Sequence, residues 1–70
     1  MERTYKLVEL VGISEKGYDD AVKNAIKAAG KTLKGMSWFE VQEMRGHLKD
    51  DNVTEFQVKL KAAFRVLDNM

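Results

Sequence analysis

Towards its end the chain alternates cleanly between apolar and polar positions. Phe56, Val58, Leu60, Ala62, Phe64 and Val66 take one parity; Glu55, Gln57, Lys59, Lys61 and Arg65 take the other. Side chains of a strand point to opposite faces in turn, so this predicts a strand over 53–67 with one face on a core and the other in water. A second strand is predicted over 38–48, opening on Trp38-Phe39-Glu40-Val41. Lys49-Asp50-Asp51-Asn52 lies between them as a turn. Near the start, Tyr-Lys-Leu-Val-Glu-Leu-Val at 5–11 is short and rich in strand formers, and reads as a first strand. Residues 12–17 then form a loop.

From Tyr18 the period changes. Tyr18, Val22, Ala25 and Ala29 recur at helical spacing, with Ala21, Ile26 and Leu33 widening the stripe, so an amphipathic helix is predicted over 18–33. Gly17 suits its N-cap, and Asp19 and Asp20 place carboxylates at the positive end of the helix. Gly35 is read as the residue that stops it. Gly30 then falls inside the helix, at a cost of about 1 kcal/mol against alanine, and is a candidate for close approach of a strand.

If the turn is centred between Asp50 and Asp51, strand partners have numbers that sum to 101. Trp38 then faces Ala63, and Met44 faces Gln57. Directly opposed residues share a face. Trp38, Glu40, Gln42 and Met44 would therefore join Gln57, Lys59, Lys61 and Arg65 on the polar side, with Phe39 and Val41 beneath the helix. The expected fold class is α+β: a β-α-β-β chain forming a three-stranded antiparallel sheet packed on one helix, with the last strand central. No proline or low-complexity linker divides it, so residues 1–70 read as one domain.

Length and composition then limit what such a unit can be. A chain of 70 residues buries only about 60% of its unfolded surface and needs a disulfide, a metal or a partner. There is no cysteine and only one histidine, His47, which removes disulfides, thiolate sites and a multi-histidine zinc site. Oligomerisation is the remedy left. In the first strand neither face is clearly polar, as burial by neighbouring subunits would produce. Twelve Lys+Arg against eleven Asp+Glu give a net charge of +1, too little for general attraction to nucleic acid or an anionic membrane. No apolar run approaches a membrane span, and residues 1–6 contain no signal-like hydrophobic region, so a cytoplasmic protein is expected.

Trp38 carries the most chemical information. It is the sole tryptophan, and the register puts it on the hydrophilic face of the sheet, where a large aromatic stacks on a flat ligand or packs against another subunit. No catalytic constellation accompanies it. Ser14, Ser37 and His47 are scattered, and Glu40 has no carboxylate partner. Asp50-Asp51-Asn52 lacks the glycine and closing glutamate of a calcium loop.

Trp38-Phe39-Glu40-Val41 followed by Arg45-Gly46, with Gln57 in the next strand, closely resembles the dodecins, small flavin-binding proteins. So do the opening run Tyr5-Lys6-Leu7-Val8-Glu9-Leu10-Val11-Gly12 and Lys31-Thr32-Leu33. The resemblance covers about 5–64. It implies a hollow homododecamer, non-enzymatic, that stores flavin and protects it from photochemistry at subunit contacts. Trp38 would stack on the isoalloxazine and Gln57 would hydrogen-bond its edge. Arg45 stands where many bacterial members carry arginine, which suits the phosphate of FMN better than uncharged riboflavin. Some bacterial dodecins also bind coenzyme A, for which Arg65, Lys34 and Arg3 are the basic candidates. Gly17 and Gly30 depart from the serine or alanine expected there. Trp38 and Gln57 stand six residues apart along the last strand, roughly 20 Å, which exceeds the reach of a tricycle about 10 Å long. One flavin would therefore be gripped by two protomers. Two other classes remain open. One is an interaction module presenting Lys23, Lys27, Lys31 and Lys34 to a polyanion or RNA; it lacks interleaved aromatics. The other is a small flavin or coenzyme A enzyme, for which no acid or base is visible.

Overall fold

The structure, a computed structural model, describes residues 2–66. Four elements follow in order: β1 (Thr4–Ser14), α1 (Tyr18–Ala29), β2 (Met36–Lys49) and β3 (Asn52–Val66). They build a three-stranded antiparallel sheet in the order β1-β3-β2, so the longest and most regularly alternating strand is central, as expected. Leu67, the end of the predicted third strand, lies outside the described residues.

Helix α1 packs on β1 and β3. Its alanines Ala21 and Ala25 meet Val58 and Leu60 of β3 in the core, and Leu10, Tyr18, Val22 and Ile26 close around them. Tyr18 also meets Phe56 edge-on, with ring centroids 5.0 Å apart. Small residues on the helix bring it close to the sheet, and Gly12 brings it closer still. A Cβ at Gly12 would stand 2.0 Å from the carbonyl oxygen of Ala21. The close backbone approach assigned to Gly30 is thus made at Gly12, and residues 12–14 continue β1 instead of opening a loop. Strand β1 can run on because its missing side chain is what admits the helix.

The helix also ends sooner than its apolar stripe suggests. Gly17 is the N-cap and Asp19 and Asp20 occupy the first turn, but Gly30 is the C-cap, with φ −63°, so it does not lie inside the helix. The N–H groups of Lys31 and Thr32 fold back on the carbonyls of Ala28 and Ala29, and that of Leu33 also bonds to Ala29 O. Gly35 does adopt a positive φ, of 77°, in the entry to β2 and not at the helix terminus. The expected basic stripe is broken as a result. Lys23 and Lys27 are on α1, Lys31 is in the turn, and Lys34 is in the following loop.

The β2–β3 connection is a tight hairpin: Lys49 pairs with Asn52, and Asp50 and Asp51 both take positive φ. Two consecutive left-handed residues match the type I′ loop whose twist suits a hairpin. Beyond it the register departs from a uniform one. Pairs sum to 101 at Lys49–Asn52 and again from Val41–Leu60 to Trp38–Ala63, but to 102 from Glu43–Lys59 to His47–Glu55. Thr54 is the extra residue in β3 and Gln42 the extra residue in β2, two bulges that cancel. Between them every β2 side chain is displaced by one position. Met44 therefore faces Val58 on the helix side, and Arg45, not Met44, stands opposite Gln57.

One further expectation changes. Phe39 and Val41 point to the helix side of the sheet, yet the helix lies over β1 and β3 and leaves them 48% and 45% exposed. Met44 beside them is 55% exposed. On the face away from the helix, Leu7, Val11 and Ile13 are exposed as well. A single chain thus leaves apolar surface bare on both faces of its sheet, more than a solitary domain ordinarily shows.

Candidate functional site: the open face of the sheet

The face turned away from the helix carries the chemistry. The bulge at Gln42 brings Glu43, Arg45 and His47 onto this face, opposite Lys59, Gln57 and Glu55. Bulges commonly re-aim side chains in this way. The Arg45 guanidinium donates from Nε to Oε1 of Gln57 at 2.7 Å, and its Nη1 lies 3.8 Å from Glu43. Gln57 in turn donates from Nε2 to Oε1 of Glu55 at 3.1 Å. His47 closes the row, with Nδ1 3.1 Å from the hydroxyl of Thr54. A uniform register conceals this pairing; the step of three from Val41 to Met44 was the signal in the sequence that a residue had been inserted.

Trp38 sits at the other end of the same face. It lies opposite Ala63, which is completely buried even though no helix covers it. Trp38 is 44% exposed. Nε1 donates to Oε2 of Glu40 at 3.1 Å, and the ring of Tyr5, reaching across from β1, stands 4.8 Å away at a tilt of 55°. The Arg3 guanidinium carbon is 5.8 Å from the centre of the Tyr5 ring. Local pattern marks Tyr5 only as a strand former; its meeting with Trp38 depends on two strand pairings that no local pattern encodes. Trp38 and Gln57 themselves are not brought together. Their six-residue separation along β3 leaves roughly 20 Å between them.

Arg3, Lys34 and Arg65 do converge. With Tyr5, Gly35, Met36 and Ser37 they line a cleft of about 340 Å³ where the chain enters β2. Arg65 is held there by its own N–H, which donates to the carbonyl of Gly35 at 3.1 Å. Three cations around one concavity suit an anion.

A separate polar cluster fixes the start of the helix. The buried Ser14 hydroxyl donates to Oδ2 of Asp20 at 2.6 Å and accepts the N–H of Lys16. Asn24 donates to the carbonyl of Ile13 and to Asp20. The Ser14 hydrogen bond outweighs the opposing effect of desolvation and, with lesser help from Lys16, Asn24 and Lys23, holds the Asp20 carboxyl below the usual carboxylate range. Among the described residues no cluster of His, Asp and Glu has the makings of a metal site, and no helix is long and apolar enough to cross a membrane.

Comparison with known proteins agrees with this geometry. A sequence model described as Dodecin matches residues 4–67. A curated dodecin of Thermus thermophilus is 47% identical over 66 residues, covering 94% of this chain and 96% of the relative. Dodecin from Streptomyces davaonensis superposes with a TM-score of 0.92 at 40% identity, over 97% of this chain and 100% of the other. Dodecin from Streptomyces coelicolor gives 0.91 at 43%, over 96% of each. With a family model spanning the whole sheet and helix, and near-complete relatives well above 30% identity, this chain belongs to the dodecins, a family of self-assembling, flavin-binding proteins that are not enzymes.

Proposed function

We propose that this protein is a single-domain subunit of a hollow, cytoplasmic homododecamer that sequesters FMN at its subunit contacts and quenches its photochemistry. The indole of the half-exposed Trp38, anchored at its N–H edge on a flat sheet surface, carries this reading. Stacking on it gains burial and about 0.5–1.5 kcal/mol of aromatic pairing. An excited flavin against indole takes an electron from Trp38 and returns it, so the light energy is lost as heat with no net chemistry. Gln57 offers an amide donor and acceptor suited to the isoalloxazine edge, and Arg45 beside it offers a cation to the FMN phosphate that riboflavin lacks. The long separation of Trp38 and Gln57 supports a grip shared by two protomers. The bare apolar surfaces of β1 and β2 are what such contacts would cover.

Coenzyme A is a second ligand of the same particle in this proposal, with its phosphates in the cleft of Arg3, Lys34 and Arg65. The division of the lysines between helix, turn and loop gives no matching support to a polyanion or RNA surface. Substitution of Trp38 by alanine tests the flavin site. FMN affinity should fall at least about tenfold while the particle mass stays constant. Unchanged affinity would refute the stacking role.

A further inference from the structure

A tryptophan on an uncovered sheet face has rotamers to lose when a ligand stacks on it, and immobilising such a side chain weakens binding. The structure shows what limits that loss. Strands β1 and β2 flank β3, and Leu7, Ala63 and Trp38 form one row across the sheet, with Tyr5 and Arg65 in the next row. Because Ala63 has only a methyl group, the two large rings lean over it from either side and touch. The Trp38–Glu40 bond lies in solvent and competes with water. The Tyr5 contact has no aqueous substitute. Its tilt of 55° brings the phenol ring to the indole without laying it parallel over the indole plane. The Arg3 guanidinium also lies over the Tyr5 ring, 5.8 Å from its centre.

We infer that Tyr5 is a positioning residue for the flavin platform: its ring, leaning across Ala63, pre-sets the Trp38 indole before ligand arrives. The inference rests on the reading that Trp38 stacks on flavin. The ring makes the contact, so phenylalanine should serve in place of tyrosine and an aliphatic side chain should not.

The test compares Tyr5→Leu and Tyr5→Phe in the assembled particle, with Tyr5→Ile as the substitute should the leucine variant fail to assemble. Trp38 is the sole tryptophan, so time-resolved anisotropy of the flavin-free protein reports its motion alone. Tyr5→Leu should increase the fast depolarisation of Trp38, weaken FMN by about two- to twelvefold and leave more residual fluorescence in the bound flavin. Tyr5→Phe should restore all three. Unaltered anisotropy in the aliphatic variants, or a phenylalanine variant that behaves like them, overturns the inference. Trp38→Ala, run alongside, separates the two levels. If it leaves FMN affinity intact, the stacking reading itself fails; if it abolishes binding while Tyr5→Leu changes nothing, only the positioning role fails.

Discussion

If one flavin is held by Trp38 of one protomer and Gln57 of another, two defective chains should repair each other. In the structure Trp38 faces Ala63, and Gln57 lies six residues further along β3. At about 3.3 Å per residue the two are roughly 20 Å apart, so a tricycle about 10 Å long centred on the indole ends well short of Gln57. Consider Trp38→Ala and Gln57→Ala chains, at an FMN concentration that fills the wild-type sites but not those of either variant assembled alone. Unfolded together in equal amounts and reassembled, they fill positions at random. A site is whole only where a chain that kept Trp38 meets one that kept Gln57. That leaves about one half times one half, or a quarter, of the sites of a closed symmetric particle intact. The assay is quenching of FMN fluorescence at that concentration, normalised to the wild-type particle, with native mass confirming mixed assembly. Recovery near a quarter, rising and falling with the product of the two fractions as their ratio varies, is the expected result. No recovery in a mixed particle would show that both contacts come from one chain, and the two-protomer grip would be wrong.

On the proposed contact of Arg45 with the phosphate, Arg45→Glu should weaken FMN more than riboflavin in parallel titrations; equal losses would count against that contact. Gly12→Ala should destabilise the fold by about 1–3 kcal/mol or more, since the new methyl group meets the Ala21 carbonyl at 2.0 Å and the helix must lift. Gly30→Ala is its control: φ is −63° and the new methyl group stands 3.3 Å from the Ile26 carbonyl oxygen, a far milder approach, so chemical denaturation should show a much smaller change than at Gly12. For pH, the Ser14 bond keeps the Asp20 carboxyl below its ordinary range, so the unfolded chain takes up this proton first. The stabilisation is complete above the unfolded carboxylate's pKa, near 4, and is lost as pH falls through the lower folded value. Ser14→Ala should therefore flatten the acid side of the stability curve below about pH 4–5, and an unchanged slope there would remove Asp20 as a contributor.

Much of this architecture is legible from one strand. The alternation from Phe56 to Val66 gives β3 its two faces, and the Asp50-Asp51 turn sets the pairing of Trp38 with Ala63. Interruption is harder to read, because the step of three from Val41 to Met44 marks it on one strand only. The bulges at Gln42 and Thr54 cancel, so the pairing from Trp38 to Val41 matches that at Leu48 and Lys49 while the stretch between, which holds Arg45 and Gln57, is displaced by one. The length of β1 was hidden for a related reason. Gly12 reads as a loop residue by composition, and only the helix packed against it explains a glycine inside a strand. The apolar stripe outruns the helix because Leu33 keeps its phase after Gly30 has closed the last turn. Family resemblance supplied the roles of Trp38, Gln57 and Arg45, which periodicity alone does not assign. Tyr5 emerged only from the pairing of three strands.

The central claim, flavin sequestered on Trp38 in a closed assembly, is met most directly by titrating FMN with the ligand-stripped protein while light scattering reports its mass. The account predicts deep quenching that saturates at one flavin per chain on a particle of dodecamer mass. A monomer or dimer that leaves FMN fluorescence unchanged would contradict it.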